Sequence, residues 1–103
     1  MTESSEPESR RVEILRTARF DRLLSKLSDD QHDQVIEALE RLIDAFGGPH
    51  THSGLSVRKL RRDLFEARAG LELRLLFLVS GRRLVLVFLG DHDEVRAFLR
   101  SFR

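Results

Sequence analysis

The sequence predicts an α+β domain in which an antiparallel meander sheet carries an N-terminal helical hairpin and a short C-terminal helix. Apolar residues recur with the spacing of a helix over residues 17–46, and at every second position over residues 63–79. Helices that precede a run of consecutive strands are typical of α+β folds, because such strands pair with their neighbours along the chain. The predicted order is β-α-α-β-β-β-α, with the helices packed on one face of the sheet.

The composition is that of one folded domain, since 41% of the 103 residues are hydrophobic and 34% are charged. We assign this domain to residues 11–103. Residues 1–10 combine Ser, Glu and Pro without apolar periodicity, so they are predicted to form a flexible tail.

The sequence has no pattern of a secreted or membrane protein. It contains no cysteine, which excludes disulfides and zinc–thiolate sites. No apolar run approaches the roughly 20 residues that span a bilayer, and the first residues lack the apolar core of a signal peptide. We therefore expect a cytoplasmic protein that does not associate with a membrane.

Charge is unevenly placed along the chain although the formal net charge is only +1. Residues 1–55 carry seven Lys and Arg against eleven Asp and Glu, whereas residues 56–103 carry eleven against six, so the two halves differ in sign. A basic half can attract a phosphate backbone or an acidic protein. An ordinary arginine-rich surface is the alternative explanation.

The first half of the chain predicts a strand and two helices. Residues 11–15 alternate as a strand does, and the period then changes to that of a helix over residues 17–27, with Thr17 as its N-cap. Ser28 and Gln31 form a capping-box pattern that begins a second helix. The apolar stripe of this second helix comprises Val35, Ile36, Leu39, Leu42, Ile43 and Phe46. Gly-Gly-Pro at 47–49 should end it, and 50–54 should be a loop.

The second half predicts a run of strands and one last helix. Residues 56–61 are interpreted as the approach to a strand, and residues 63–69 and 71–79 should form a hairpin around Gly70. Residues 84–90 are apolar throughout and predict a central strand that is buried on both faces. The final helix follows, with apolar positions at Val95, Phe98, Leu99 and Phe102.

One face of the predicted hairpin is polar, since it carries Glu66, Arg68, Glu72 and Arg74. Side chains at alternate positions of paired strands share one face of the sheet. This face is therefore either solvated or a binding surface.

Three stretches together resemble the RelE/ParE superfamily of toxins from bacterial type II toxin–antitoxin pairs. They are "KLRRDLFEARAG" at 59–70, "LELRLLFLVSGRRLVLVFLG" at 71–90 and "GDHDEV" at 90–95. The first is similar to the family's strand with an acidic and a basic position before a glycine. The second is similar to its strand pair, and the third to the corner before its last helix. The resemblance runs from Val12 to the end of the chain and implies a RelE-like fold.

The resemblance implies three possible functions. RelE-like members cleave messenger RNA on the ribosome without a metal or cofactor, and so inhibit translation. ParE-like members are not nucleases and inhibit DNA gyrase. Both kinds are neutralised by a cognate antitoxin, and a third possibility is an inactive toxin fold that only binds the antitoxin. The histidine corner at 90–95 is most similar to YafQ-like messenger RNA interferases, so endoribonuclease activity is our preferred interpretation.

The same resemblance implies candidate site residues. His92 falls on a catalytic position, Arg68 on a strand position held by a basic residue or histidine, and Arg74 on that of a phosphate-binding arginine. Glu72 lies near an acidic position, and His52 lies in a loop where YafQ-like members have another histidine. Contacts to RNA phosphates are expected from four further basic residues, Arg58, Lys59, Arg61 and Arg96.

These residue types suit metal-free RNA cleavage, which needs a base for the 2′-hydroxyl, cations for the phosphorane and an acid for the leaving oxygen. Imidazole exchanges protons near neutral pH, and guanidinium binds phosphate with paired donors. The chain has no tyrosine, so a catalytic tyrosine is excluded, and the lysine pair of RelE has no clear equivalent. The "HTH" at 50–52 lacks an evident third ligand, so we expect no metal site.

Structural explanations compete with these assignments. Asp91 and Glu94 fit a capping box, which explains the acids of the corner but leaves His92 unexplained. Arg68 and Arg74 could form cross-strand salt bridges with Glu66 or Glu72. The basic run 58–62 could protect a solvated edge strand by charge.

Overall fold

The computed structural model describes residues 12–47 and 57–102. The predictions of a flexible tail at 1–10 and of a loop at 50–54 lie outside these residues. Within the described part of the chain, no helix combines the length and the apolar character that crossing a membrane requires.

The core of the molecule is a five-stranded mixed sheet in the order β1-β5-β4-β3-β2. Its strands are β1 (Glu13–Arg16), β2 (Val57–Lys59), β3 (Leu64–Ala69), β4 (Leu73–Ser80) and β5 (Arg83–Gly90). The last four form the predicted antiparallel meander, and β1 adds to β5 in parallel. The α+β class is thus confirmed. The short edge strand β2 is additional, because the residues interpreted as an approach to β3 themselves pair with it.

Two helices, α1 (Ala18–Ser25) and α2 (Asp29–Gly47), form the predicted hairpin between β1 and β2. Thr17 caps α1 by accepting a hydrogen bond from the Phe20 amide at 3.2 Å. Ser28 and Gln31 exchange side-chain and backbone hydrogen bonds at 3.2 Å, which is the predicted capping box of α2. Both helix starts are therefore local features that the sequence identifies correctly.

The third helix, α3 (His92–Ser101), packs on the opposite face of the sheet from the hairpin, so the prediction of helices on one face is wrong. Strand β4 explains the difference. Leu75 and Phe77 point to the side of α1 and α2, whereas Leu76 and Leu78 point to the side of α3. Because both faces of the strand are apolar, each needs its own helical cover.

The buried face of α2 is narrower than the apolar stripe that the sequence predicted for this helix. Val35, Ala38 and Leu42 are buried. Ile36, Ile43 and Phe46, which the stripe also included, are each about 40% exposed. Helix α2 contacts β3 and β4 and leaves its flanks open, so only the residues facing these two strands are fully covered.

We expect Gly70→Ala to lower the free energy of unfolding more than Gly81→Ala does. Both glycines have positive φ, 75° and 61°, a conformation that costs other residues about 1–2 kcal/mol. A Cβ at Gly70 would also collide with the side-chain amide of Gln34 on α2, whereas a Cβ at Gly81 would meet no described atom within 4 Å. Urea unfolding of the two variants measures the difference, and equal losses would mean that the exposed Gln34 side chain moves aside without cost.

Candidate active site

The candidate site lies where β5 ends and α3 begins. Arg74 of β4 is the register partner of Gly90, the last residue of β5. His92 follows two residues later as the first residue of α3. This pairing brings the Arg74 Nη1 and the His92 Nδ1 to 3.3 Å, a hydrogen-bond distance between two of the predicted catalytic residues.

Two acids of the "GDHDEV" corner, Asp91 and Glu94, cap α3 as predicted. The Asp91 carboxylate accepts a hydrogen bond from the Glu94 amide, and the Glu94 carboxylate accepts one from the Asp91 amide, both at 2.8 Å. His92 takes no part in this capping box. The cap therefore holds the backbone of His92 in place and leaves its ring for the contact with Arg74.

The second arginine, Arg68, lies directly opposite Arg74, because the two residues are register partners on β3 and β4. Both line an open cleft of about 240 Å³, together with Val57, Arg58 and Glu66. Arg58 reaches the cleft from β2, where it is the register partner of Glu66. Arginines from three neighbouring strands thus converge on one cleft.

A carboxylate at the base of this cleft belongs to Glu66, which was not among the predicted site residues. Glu66 is only 6% exposed, and among the residues that the structure describes it is the one charged residue that is buried. The Glu66 Oε1 lies 3.7 Å from the Arg58 Nε, and its Oε2 lies 3.7 Å from the Arg74 Nη1. The cleft therefore holds three guanidinium charges against one carboxylate.

The contact between Arg74 and His92 defines a tautomer of the imidazole. A guanidinium carries donors and no acceptor, so the Arg74 Nη1 must donate and the His92 Nδ1 must accept. The ring proton of the neutral histidine then lies on Nε2. The histidine residue is exposed, so the tautomer presents its remaining N–H on an accessible ring.

Arg74 also retains unused hydrogen-bonding capacity. Its side chain is 15% exposed, and its Nε is buried without a hydrogen-bond partner among the described residues. A buried donor without a partner is costly. An anion in the cleft that drew the guanidinium toward itself would relieve this cost.

Other predicted residues are not gathered into this cluster. Lys59 is the register partner of Phe65, so its side chain lies on the face of the helical hairpin, away from the cleft. Arg61 donates to the Leu99 carbonyl at 3.4 Å, near the end of α3. Glu72 is exposed in the β3–β4 turn, and Arg74 pairs with Glu66 instead.

Two predicted residues remain to be placed. Arg96 is exposed on α3, four residues after His92 and therefore on the same side of the helix. His52 lies outside the described residues. Within residues 12–47 and 57–102, no three His, Asp or Glu side chains come together as a metal-binding group.

No protein-family model matches the sequence, and a search of curated proteins finds no matching relative. Solved structures do match the fold. RelE in the archaeal RelE–RelB complex from Pyrococcus horikoshii is 18% identical with a TM-score of 0.63, over 79% of this chain and 94% of that chain. A chain of the RelB–RelE antitoxin–toxin complex from Methanococcus jannaschii is 12% identical with a TM-score of 0.65, over 82% of this chain and 96% of that chain. YafQ from Escherichia coli is 13% identical with a TM-score of 0.63, over 82% of this chain and 98% of that chain.

These comparisons establish the fold. The chain has the RelE-like fold of toxins that have been crystallised with their antitoxins, over nearly the whole length of those toxins. The predicted RelE-like fold is thereby confirmed.

Proposed function

We propose that this protein is the toxin of a type II toxin–antitoxin pair and cleaves messenger RNA on the ribosome. The observation that carries the proposal is the 3.3 Å contact between Arg74 and His92 at a cleft where Arg68 also lies. A proton-exchanging ring next to converging guanidinium groups supplies one of the two proton-transfer groups, and the cations, that transesterification of RNA requires; the second proton would pass to or from water or the ribosome.

The proposed reaction breaks the chain by internal attack. The 2′-hydroxyl loses its proton to a base as the O2′–P bond forms. The P–O5′ bond then breaks, and the leaving O5′ receives a proton from an acid. The products are a 2′,3′-cyclic phosphate and a 5′-hydroxyl. Arg68 and Arg74 would neutralise the charge on the phosphorane, so the scheme requires no metal ion.

His92 would carry out one of the two proton transfers. In the free protein its Nδ1 lone pair is directed at the Arg74 Nη1. A phosphate that attracts Arg74 would release Nδ1 to accept a proton, while Nε2 presents a donor to the same substrate. Three arginines and one buried glutamate leave the cleft with an excess of positive charge, which suits a phosphodiester.

The partner in the cell would be a cognate antitoxin, and the site of action would be the ribosome in the cytoplasm. The support for the antitoxin is structural likeness, because the RelE chains with this fold were crystallised in complex with RelB, and YafQ with DinJ.

The proposal is tested by brief induction in a bacterial host, followed by mapping of the 5′ ends of a translated reporter messenger RNA. The control is a variant in which Arg68 and Arg74 are both replaced by glutamine. New 5′-hydroxyl ends inside translated codons, absent from the variant, are the expected result. Growth arrest without such ends would overturn the nuclease and lead to a gyrase supercoiling assay. Neither cuts nor arrest would leave an inactive fold that binds an antitoxin.

A further inference from the structure

We infer that Glu66 is a positioning residue of this site, one that holds Arg74 against His92 without itself touching the substrate. The inference rests on the proposed function and goes beyond it, since the proposed reaction assigns no role to this carboxylate. It concerns how the free protein keeps its arginines in place before RNA arrives.

The burial of Glu66 needs an explanation other than stability. A buried carboxylate loses its hydration, and pairing it with arginine at best offsets that loss. The other buried residues within 12–47 and 57–102 are hydrophobic residues and Gly90. An apolar side chain of similar size would fill the same position at less cost, so the charge itself is the feature to explain.

The position of the carboxylate connects it to the reacting groups. Its Oε2 lies 3.7 Å from the same Arg74 Nη1 that lies 3.3 Å from the His92 Nδ1. Its Oε1 lies 3.7 Å from the Nε of Arg58 on the other neighbouring strand. Glu66 therefore attracts one arginine from each side.

The distances also preserve the donors of these arginines. At 3.7 Å the ion pairs lie beyond the range of a well-formed hydrogen bond, which is about 2.7–3.2 Å for nitrogen and oxygen. Attraction between the charges acts at this distance, while the N–H groups stay available. The carboxylate can thus orient both guanidinium groups without competing with a phosphate for them.

Repulsion between arginines makes this anchor necessary. Arg68 and Arg74 are direct cross-strand partners, and like charges in that arrangement repel. Without Glu66 the cleft would hold three cations and no counter-charge. Arg74 would then turn toward solvent before RNA arrives, so the guanidinium would no longer be in place to meet the phosphate, and the contact that orients His92 in the free protein would be lost.

The consequence for catalysis is a split between binding and turnover. Glu66→Gln keeps the size of the side chain and removes its charge, so the cleft becomes more positive and should bind the anionic substrate at least as well. The maximal rate should fall about tenfold or more, because misplaced groups lose the geometry of the reaction. A residue that served only the fold would instead reduce the amount of active protein and leave the KM and the rate per folded molecule unchanged.

The test uses the full chain and two measurements. Nuclear magnetic resonance of the Arg74 guanidinium, assigned with Arg74→Lys, reports whether its Nη groups are held and give resolved signals. Single-turnover cleavage on programmed ribosomes gives the maximal rate and the KM. Glu13→Gln is the matched control, since Glu13 is a strand carboxylate that pairs with Arg83 at 3.1 Å far from the site. Glu66→Asp keeps the charge and should restore part of both readouts.

The expected result is that Glu66→Gln loses the resolved Arg74 signals and the maximal rate without a rise in KM, while Glu13→Gln keeps both. Unchanged Arg74 signals in a folded Glu66→Gln variant would overturn the inference. It would also be overturned if Glu66→Gln did not fold and Glu66→Asp matched the wild type in stability but restored neither the Arg74 signals nor the maximal rate. If the wild-type chain cuts no RNA, the proposed function fails, and the Arg74 signals still decide the role of Glu66.

Discussion

Replacing His92 with glutamine is expected to lower the rate of messenger RNA cleavage by about 10²- to 10⁴-fold, the usual contribution of a positioned acid or base. Glutamine can still accept a hydrogen bond from the Arg74 Nη1, which contacts the histidine ring at 3.3 Å. It cannot take up or release a proton during the reaction. The variant therefore separates proton transfer from the positioning of Arg74, and single-turnover cleavage on programmed ribosomes measures the loss.

Stability should not account for that loss. His92 is exposed, and the capping box of α3 is formed by Asp91 and Glu94 without it. Urea unfolding of His92→Gln should agree with the wild type within about 0.5 kcal/mol. His32→Gln is the matched control, because His32 belongs to α2 and lies away from the cleft. Cleavage by His92→Gln at the wild-type rate would remove the histidine from the mechanism.

The proximity of His92 to Arg74 depends on a feature that sequence patterns do not reveal. Strand β5 contains a register shift where Leu76 pairs with Phe88 and Phe77 pairs with Leu86, which leaves Val87 as the extra residue of a bulge. Without it, Arg74 would lie opposite Leu89 instead of Gly90. Residues 84–89 are all apolar, so no alternation marks the bulge, and the sequence supports only the general idea that the residues converge.

Strand faces explain which basic residues reach the cleft. Arg58 and Lys59 are adjacent in the basic run, yet Arg58 pairs with Glu66 and Lys59 with Phe65, so the two side chains lie on opposite faces of the sheet. The sequence predicted RNA contacts from both residues. The difference follows from the pairing of β2, a strand of three residues that the hydrophobic pattern did not identify as a separate element.

The burial of Glu66 is a second feature that the sequence alone does not predict. Its alternation with Phe65 and Ala67 correctly placed it on the polar face of the hairpin. Its burial, however, comes from the neighbouring strands that carry Arg58 and Arg74. A residue that becomes important through its neighbours in space carries little signal in its own sequence window, whereas the capping boxes at Ser28 and Asp91 are local and were predicted.

The sequence also does not show directly which face of the sheet each helix covers. Both helices of the hairpin and the last helix have apolar sides, but amphipathicity does not say which face of the sheet each one covers. The information lies in β4, where adjacent apolar residues such as Leu75 and Leu76 are both fully buried. A strand that is apolar on both faces requires cover on both, and the single-face prediction overlooked this requirement.

Phe77→Ala is expected to lower the free energy of unfolding by about 3–5 kcal/mol, the range for removing a large aromatic side chain from a core. Phe77 is fully buried in the middle of β4, between the sheet and α2. Its ring stacks on that of Phe65, with centroids 5.8 Å apart, and makes a T-shaped contact with Phe46 at 6.0 Å. Truncation would remove both ring contacts and leave a cavity that β3 and β4 cannot close without moving.

The loss at Phe77 should be measured by urea unfolding, with Leu71→Ala as the control. Leu71 lies in the turn between β3 and β4, next to the same two strands, and is 92% exposed, so its truncation should change stability by less than about 0.5 kcal/mol. A small domain has only about 5–15 kcal/mol of stability in total, so Phe77→Ala should leave a marginal protein. Because Phe77 faces the helical hairpin and the cleft faces α3, the molecules that remain folded should keep the Arg74–His92 contact and their cleavage rate. A loss below about 1 kcal/mol would mean that the core around Phe77 is more loosely packed than its complete burial indicates.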